Sequence, residues 1–320
     1  MIISSIDYVW EKLQQLDALL LAQVDPKHSP FEAALADLIT AGGKRLRPRI
    51  ALLSGFALGA DPLPLLSLAT SIEMLHTASL IHDDLVDGSL LRRGMETLNA
   101  RWSSAVSVLI GDLAFTRASR LINNTRSFPA IEMFTLTMQR MVDGEVTHLA
   151  RPHRISSRDE YFRWIDAKTA ALFEFAMGAP ALLSPAGRDV HLAACRFGRG
   201  IGVAFQIVDD VLDFIGETAQ LGKPVGNDLR HGVVTLPALI YFENHPPKDD
   251  VDVMLADERL DGTTLMELIE RIQSSEAIDQ SLEIAREFIR KALEDLEYFH
   301  NGPERFALDE IAWDIVERIL

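Results

Sequence analysis

The sequence predicts an all-α fold in a single domain spanning residues 1–320. Three observations carry this. Apolar residues recur at spacings of three and four, as in Ala285, Phe288, Ile289, Ala292 and Leu293, which is the period of one helix face. Alternating strand-like segments bounded by hairpin turns are absent. Helix start and stop signals punctuate the chain, and neither a Gly/Ser linker nor a solenoid repeat interrupts it.

In chain order, the period and punctuation place helices near 4–23, 30–41, 47–59, 62–87, 103–123, 129–150, 157–178, 187–216, 233–244, 263–273, 276–299 and 304–319. Ser29-Pro30 and Asp61-Pro62 each set a capping side chain before a proline suited to the first helical turn. Ser157-Arg158-Asp159-Glu160 matches a capping box at the start of 157–178. Gly42-Gly43, Gly88, Gly216 and Pro246-Pro247 mark stops.

Composition narrows the function classes. The 320 residues are 48% hydrophobic and 24% charged, an ordinary globular balance with length enough for a large core. A formal net charge of −16 argues against nonspecific binding to nucleic acid or to an anionic membrane. Cys195 is the only cysteine, which rules out an internal disulfide and fits a reducing cytoplasm. The first 21 residues carry Asp7, Glu11 and Asp17 among apolar residues and lack a basic start, unlike a signal peptide. No uncharged apolar run is long enough to span a bilayer, although peripheral membrane contact stays open.

The chemistry concentrates in two copies of DDxxD, Asp83-Asp84-Leu85-Val86-Asp87 and Asp209-Asp210-Val211-Leu212-Asp213. Both lie in apolar stretches, where a carboxylate is costly unless a positive partner neutralises it. On a helix Asp83 and Asp87 share a face, as do Asp209 and Asp213, while Asp84 and Asp210 sit about 100° round. Clustered carboxylate oxygens without His or Cys favour hard cations, Mg²⁺ or Ca²⁺. Magnesium usually takes few protein ligands and completes its shell with water and phosphate, so two such motifs suit a diphosphate. A single DDxxD would more often be a solvated acidic helix face. Basic residues supply the complement, in Gly42-Gly43-Lys44-Arg45-Leu46-Arg47-Pro48 and in Arg92-Arg93-Gly94.

These residues resemble the trans-polyprenyl diphosphate synthase family. The matching motifs are GGKRLRP, LHTASLIHDDLVD, RRG, GDL at 111–113, KTAALF at 168–173, FQIVDDVLDF and GKPVGNDL at 222–229. They run in order through a core of about 42–237, and the likeness continues more weakly to the C-terminus. The resemblance implies an isoprenoid-synthase helical bundle around a central cavity, three Mg²⁺ ions with substrate bound, and a homodimer. It implies that Asp83, Asp84, Asp87, Asp209, Asp210 and Asp213 hold the metal. It assigns Lys44, Arg47, His76 and Arg93 to isopentenyl diphosphate, and Arg92, Lys168, Lys223 and Gln206 to the allylic prenyl diphosphate. Lys168, Thr169 and Gln206 would also lie near the developing cation. Without the resemblance, His76, Thr169 and Gln206 read as core residues with satisfied polar groups, and neither His82 nor Asp112 is given a role.

One departure is Val233, in Asp228-Leu229-Arg230-His231-Gly232-Val233-Val234-Thr235, where the family commonly has a lysine on the allylic diphosphate. Arg230 and His231 are the nearby candidates to replace it. Glu96 also stands where the family often has proline. Ala78 and Ser79, five and four residues before Asp83, sit roughly 6–7.5 Å deeper along the helix. Short-chain members tend to carry aromatic residues there, so two small side chains favour a long product of about six to eight isoprene units (C30–C40), a family-level expectation. A geranylgeranyl diphosphate synthase and a non-catalytic subunit of a heteromeric synthase are the alternatives. The second full DDxxD and the GGKRLRP segment argue against a terpene cyclase.

Overall fold

The computed structural model describes residues 5–92, 94–150, 157–216, 225–245 and 262–317. The described residues are helical nearly throughout. The helices are α1 (Ser5–Leu21), α2 (Pro30–Ala41), α3 (Leu46–Ala57), α4 (Pro62–Val86), α5 (Leu98–Arg101), α6 (Ser104–Asn123), α7 (Phe128–Leu149), α8 (Arg158–Ile165), α9 (Ala171–Gly178), α10 (Arg188–Ile215), α11 (Asn227–Arg230), α12 (Leu236–Asn244), α13 (Gly262–Gln273), α14 (Ala277–Asp295) and α15 (Pro303–Glu317). The capping signals act as the sequence predicts. Ser29 Oγ accepts from Glu32 N at 3.2 Å, Asp61 Oδ1 from Leu63 N at 3.1 Å, and Ser157 forms a capping box with Glu160.

Three local features differ from the prediction. A two-stranded antiparallel hairpin, β1 (Leu91–Arg92) and β2 (Met95–Glu96), follows α4. Two residues per strand are too few to show an alternating pattern. The short helices α5 and α11 span four residues each, barely one turn, and escape periodicity for the same reason. The stretch expected as one helix over 157–178 is interrupted by a π-turn at Asp166–Ala170 between α8 and α9.

Packing groups the chain into two compact units. The first holds residues 1–137, 172–198 and 295–310, and the second holds 138–171, 199–294 and 311–320. In the first unit α4 is the central element. Its Leu65, Leu68, Ile72, Met74, Leu75, Ala78 and Ile81 are all buried. Because apolar residues surround this helix, it needs neighbours on every side. It is flanked by α1, α3 and, most extensively, α6, which buries Ile110, Gly111, Ala114 and Ala118. In the second unit, part of α10 meets α14 closely where Gly200 faces Ala292, and Ile269 of α13 lies over Gly226. No described helix is long and apolar enough to cross a membrane.

One contact in the first unit fixes the end of α4 that bears the acidic motif. His82 Nε2 lies 3.2 Å from the carbonyl of Val108, and its ring lies 5.3 Å from that of Phe115. A Cβ added at Gly111 would fall inside the imidazole, so the glycine of GDL allows α6 to approach α4 at this point. Gly111→Val is expected to push the ring aside and cost about 1–3 kcal/mol, read as a lower melting temperature, with activity falling alongside because Asp83 is the next residue.

Candidate functional site

The first acidic motif occupies the last turn of α4. Asp83 is half-buried, Asp87 is exposed, and Asp84 is only 6% exposed. The helix stops at Gly88, whose φ of +62° suits glycine. Gly88 N donates to Leu85 O at 3.3 Å and Ser89 N to Asp84 O at 2.9 Å, which is the Schellman pattern. The hairpin then returns Arg92 to the helix, where its Nε donates to Asp84 Oδ1 at 2.7 Å. Thr97 Oγ1 and Asn99 Nδ2 secure the turn by donating to Ser89 O at 2.7 and 2.9 Å. Asp84, expected from sequence to act with Asp83 and Asp87, is thus engaged by Arg92.

The basic loop lies in the same unit. Arg47, in the first turn of α3, sets Nη1 3.3 Å from His76 Nε2 and stacks its guanidinium 4.4 Å from the centroid of Phe173. A guanidinium carries only donors, so the imidazole nitrogen accepts. The structure therefore brings together Arg47 and His76, which lie far apart in sequence. Lys44 is exposed. Arg45 turns away, to partners on other helices. A pocket in this unit is lined by Gly42, Arg45, Glu73, His76, Asp84 and Arg92, with Leu38, Leu80, Ile81 and Leu98 as an apolar wall. Arg93 and Lys223, two of the expected phosphate contacts, fall outside the described residues.

The second motif, in the second unit, has the same division of burial. Asp209 is exposed, Asp213 is half-buried, and Asp210 is 2% exposed. Asp210 accepts from Tyr161 Oη at 2.5 Å and from Gln206 Nε2 at 2.8 Å. Burial pushes its carboxyl well above the usual range and the charge of Asp228 adds to this, while the bonds from Tyr161 and Gln206 pull the other way. Burial, with the neighbouring Asp210 charge, likewise raises the Tyr161 phenol. Asp213 Oδ2 accepts from Asp228 N at 3.1 Å and Asp213 O from Gly226 N at 2.8 Å, tying the returning segment to α10.

The π-turn carries Lys168 and Thr169. Such turns occur often at functional sites, where the extra residue re-aims side chains. Thr169 Oγ1 donates to Gln206 Oε1 at 2.6 Å, extending the chain Thr169–Gln206–Asp210–Tyr161. Lys168 Nζ donates to Glu145 Oε1 at 3.1 Å and stands 5.4 Å from the Trp164 ring centroid. Tyr161 and Glu145 carry no site signal in the sequence. Tyr161 looks like a core aromatic, and its spacing of seven residues from Lys168 would have been the only cue.

Ala78 is fully buried, and Ser79 is half-buried with its hydroxyl donating to His76 O at 2.9 Å. Neither candidate for the lysine missing at Val233 is turned to that task. Arg230 Nε donates to Val225 O at 3.1 Å and its Nη2 lies against Met266 Sδ, while His231 Nδ1 is 2.8 Å from Asn227 O.

The donor set fits a hard divalent cation. Asp83 and Asp87, one turn apart at the end of α4, are half-buried and exposed, and Asp209 and Asp213, one turn apart on α10, are exposed and half-buried. Asp210, whose charge is disfavoured by burial and by Asp228, is the kind of group that a nearby cation relieves. Among the described residues no three ligand side chains are already gathered around one point.

A group with a raised folded-state pKa stabilises the fold most fully when protonated, and that contribution falls as pH rises through the folded value. The metal-free protein is therefore expected to lose stability through Asp210 as pH rises above the ordinary carboxylate range, and Asp210→Asn to flatten that slope in melts recorded with chelator. Tyr161→Phe removes one donor to this carboxyl and is expected to cost about 1–3 kcal/mol in denaturant unfolding at neutral pH.

Comparison with known proteins identifies the site's family. The family described as polyprenyl synthetase matches residues 28–272. Octaprenyl diphosphate synthase of Escherichia coli (strain K12) is 35% identical over 283 residues, covering 88% of both chains. A short chain isoprenyl diphosphate synthase of Methanothermobacter thermautotrophicus is 36% identical over 287 residues, again 88% of each. The crystal structure of a polyprenyl synthase from Caulobacter crescentus CB15, complexed with calcium and isoprenyl diphosphate, superposes with a TM-score of 0.93 at 34% identity, covering 98% of this chain and 97% of that one. The chain belongs to the polyprenyl synthetase family, with its isoprenoid-synthase helical fold, and is a prenyltransferase of the trans-polyprenyl diphosphate synthase type.

Proposed function

We propose that the protein condenses isopentenyl diphosphate head-to-tail with an allylic prenyl diphosphate such as farnesyl diphosphate, using Mg²⁺, to give a product of about C30–C40. The observation that carries this reading is the repeated division within each DDxxD. The middle aspartate is buried and held by protein donors, and the outer two are less buried, one exposed and one half-buried in each motif. Asp83 and Asp87, and Asp209 and Asp213, are the side chains we assign to three magnesium ions with substrate bound. Asp84 and Asp210 act chiefly by setting Arg92 and the Thr169–Gln206 pair. Magnesium, when bound, neutralises the diphosphate as it departs.

The chain's own residues do the rest. Arg92, Lys168 and Lys223 hold the allylic diphosphate, and Lys44, Arg47, His76 and Arg93 hold isopentenyl diphosphate. The allylic C–O bond ionises, the isopentenyl double bond attacks the cation, and a proton leaves to the released diphosphate. Thr169 and Gln206 present oxygen lone pairs, oriented by their mutual hydrogen bond, toward positive charge. No protein nucleophile is required. Apolar walls such as Leu80 and Ile81 exclude water that would quench the cation.

Small residues favour the long product: Ala78 is buried, and the Ser79 hydroxyl is satisfied by its own helix. A homodimer is supported by α7, which exposes five large apolar side chains, Phe128, Leu136, Val142, Val146 and Leu149. The lone Cys195 and the lack of a spanning helix among the described residues suit a cytoplasmic enzyme.

Purified protein given Mg²⁺, farnesyl diphosphate and labelled isopentenyl diphosphate is expected to incorporate label, and chelator to abolish it. No incorporation by the protein alone would favour a subunit needing a partner. Ala78→Phe is expected to shorten the dephosphorylated product on chromatography; an unchanged length would remove this residue from chain-length control. Wild-type product of four isoprene units would favour the geranylgeranyl alternative.

A further inference from the structure

Arg45 is the cation of the basic loop that the proposed chemistry leaves unused. It has a φ of +47°, a left-handed backbone that residues with side chains adopt rarely. Its side chain is 12% exposed and reaches three helices at once. Nε donates to Asp17 Oδ1 of α1 at 2.9 Å, Nη1 to Glu73 Oε1 of α4 at 2.7 Å, and Nη2 to Ile39 O of α2 at 2.8 Å. Glu73 is itself only 8% exposed in its side chain. A planar guanidinium with a fixed fork can satisfy three such partners together, whereas an ammonium cannot match that geometry.

Its position relative to the neighbouring contact gives this pin a consequence. Two residues beyond Arg45, Arg47 meets His76; three residues before His76, Glu73 meets Arg45. Arg45–Glu73 and Arg47–His76 are thus successive rungs between the loop leading into α3 and one face of α4. The first rung is an ion pair shielded from water, where it is strong and where leaving either partner alone is costly. The second is a long contact of 3.3 Å, weaker than the ion pair beside it. Arg45, Glu73 and His76 border the same pocket.

We propose that Arg45 and Glu73 are positioning residues for the isopentenyl diphosphate site: their ion pair, and the left-handed turn it holds, set where Lys44 and Arg47 stand relative to His76. This rests on the assignment of Lys44, Arg47 and His76 made under the proposed function. The pair touches no reacting atom, and Glu73 lies about three helical turns of α4 from Asp84, so its loss is expected to fall on isopentenyl diphosphate rather than on the allylic substrate.

Calorimetric titration with isopentenyl diphosphate, and steady-state kinetics with both substrates, test this on the full chain. Glu73→Gln and Arg45→Gln are expected to weaken isopentenyl diphosphate binding and raise its KM by about tenfold or more, with KM for farnesyl diphosphate within about twofold. Arg45→Lys should recover part of the loss, and the double Gln variant should be no worse than the worse single, since each single already breaks the Arg45–Glu73 pair. Glu73→Gln, which keeps size and hydrogen-bonding capacity, serves if Arg45→Gln does not fold. Unchanged isopentenyl diphosphate affinity in a folded variant, even one that melts lower, would overturn the proposal, as would an equal loss for both substrates. A wild type that binds isopentenyl diphosphate, loses it in Glu73→Gln, and yet catalyses no condensation would sink the proposed function and leave this inference standing.

Discussion

A carboxylate buried in an apolar helix must be met by donors or cations, and that requirement organises the chemistry of this protein. Taking a charge out of water costs several kcal/mol even after relaxation. Asp84 and Asp210 are both almost wholly buried, and each is met differently. Arg92, delivered by a hairpin, meets the first with a full charge, whereas Tyr161 and Gln206 meet the second with neutral hydrogen bonds. Burial and the Asp228 charge make Asp210 hold its proton more tightly than usual, and the two neutral hydrogen bonds offset this only in part. In both motifs the buried member organises neighbouring residues, while its flanking partners are less buried.

The local architecture follows from placing these groups. Gly88 ends α4 abruptly, so the chain can return Arg92 within eight residues of Asp84. Gly111 lets α6 come close enough to hold His82, and with it the turn that bears Asp83. The π-turn at Asp166–Ala170 adds a residue to a helix that would otherwise run straight through. It puts Thr169 on Gln206 and Lys168 on Glu145.

The helical fold could be read almost entirely from the sequence, because its cues are local: a 3.6-residue period, Ser29, Asp61 and Ser157 as caps, Gly88 and Gly216 as stops. The hairpin, the π-turn and the one-turn helices could not, since each is shorter than the window over which a period is visible. In the site, the aspartates announced themselves by being acidic among apolar residues. Tyr161 and Glu145 did not, because a buried aromatic and a helix glutamate are common and only their distant partners give them meaning. Arg45 illustrates the converse. Sequence grouped it with Lys44 and Arg47 as one basic cluster, yet a left-handed backbone sends it to Glu73 and Asp17.

We assign the cation to the flanking aspartates of each motif rather than to the buried middle ones. A crystal structure with Mn²⁺ and inorganic diphosphate, read by anomalous scattering, tests it most directly. Ions bonded to Asp83 and Asp87, with Asp84 still on Arg92, are the expected result. Anomalous peaks absent from these carboxylates, or an ion on Asp84 with Arg92 displaced, would contradict it.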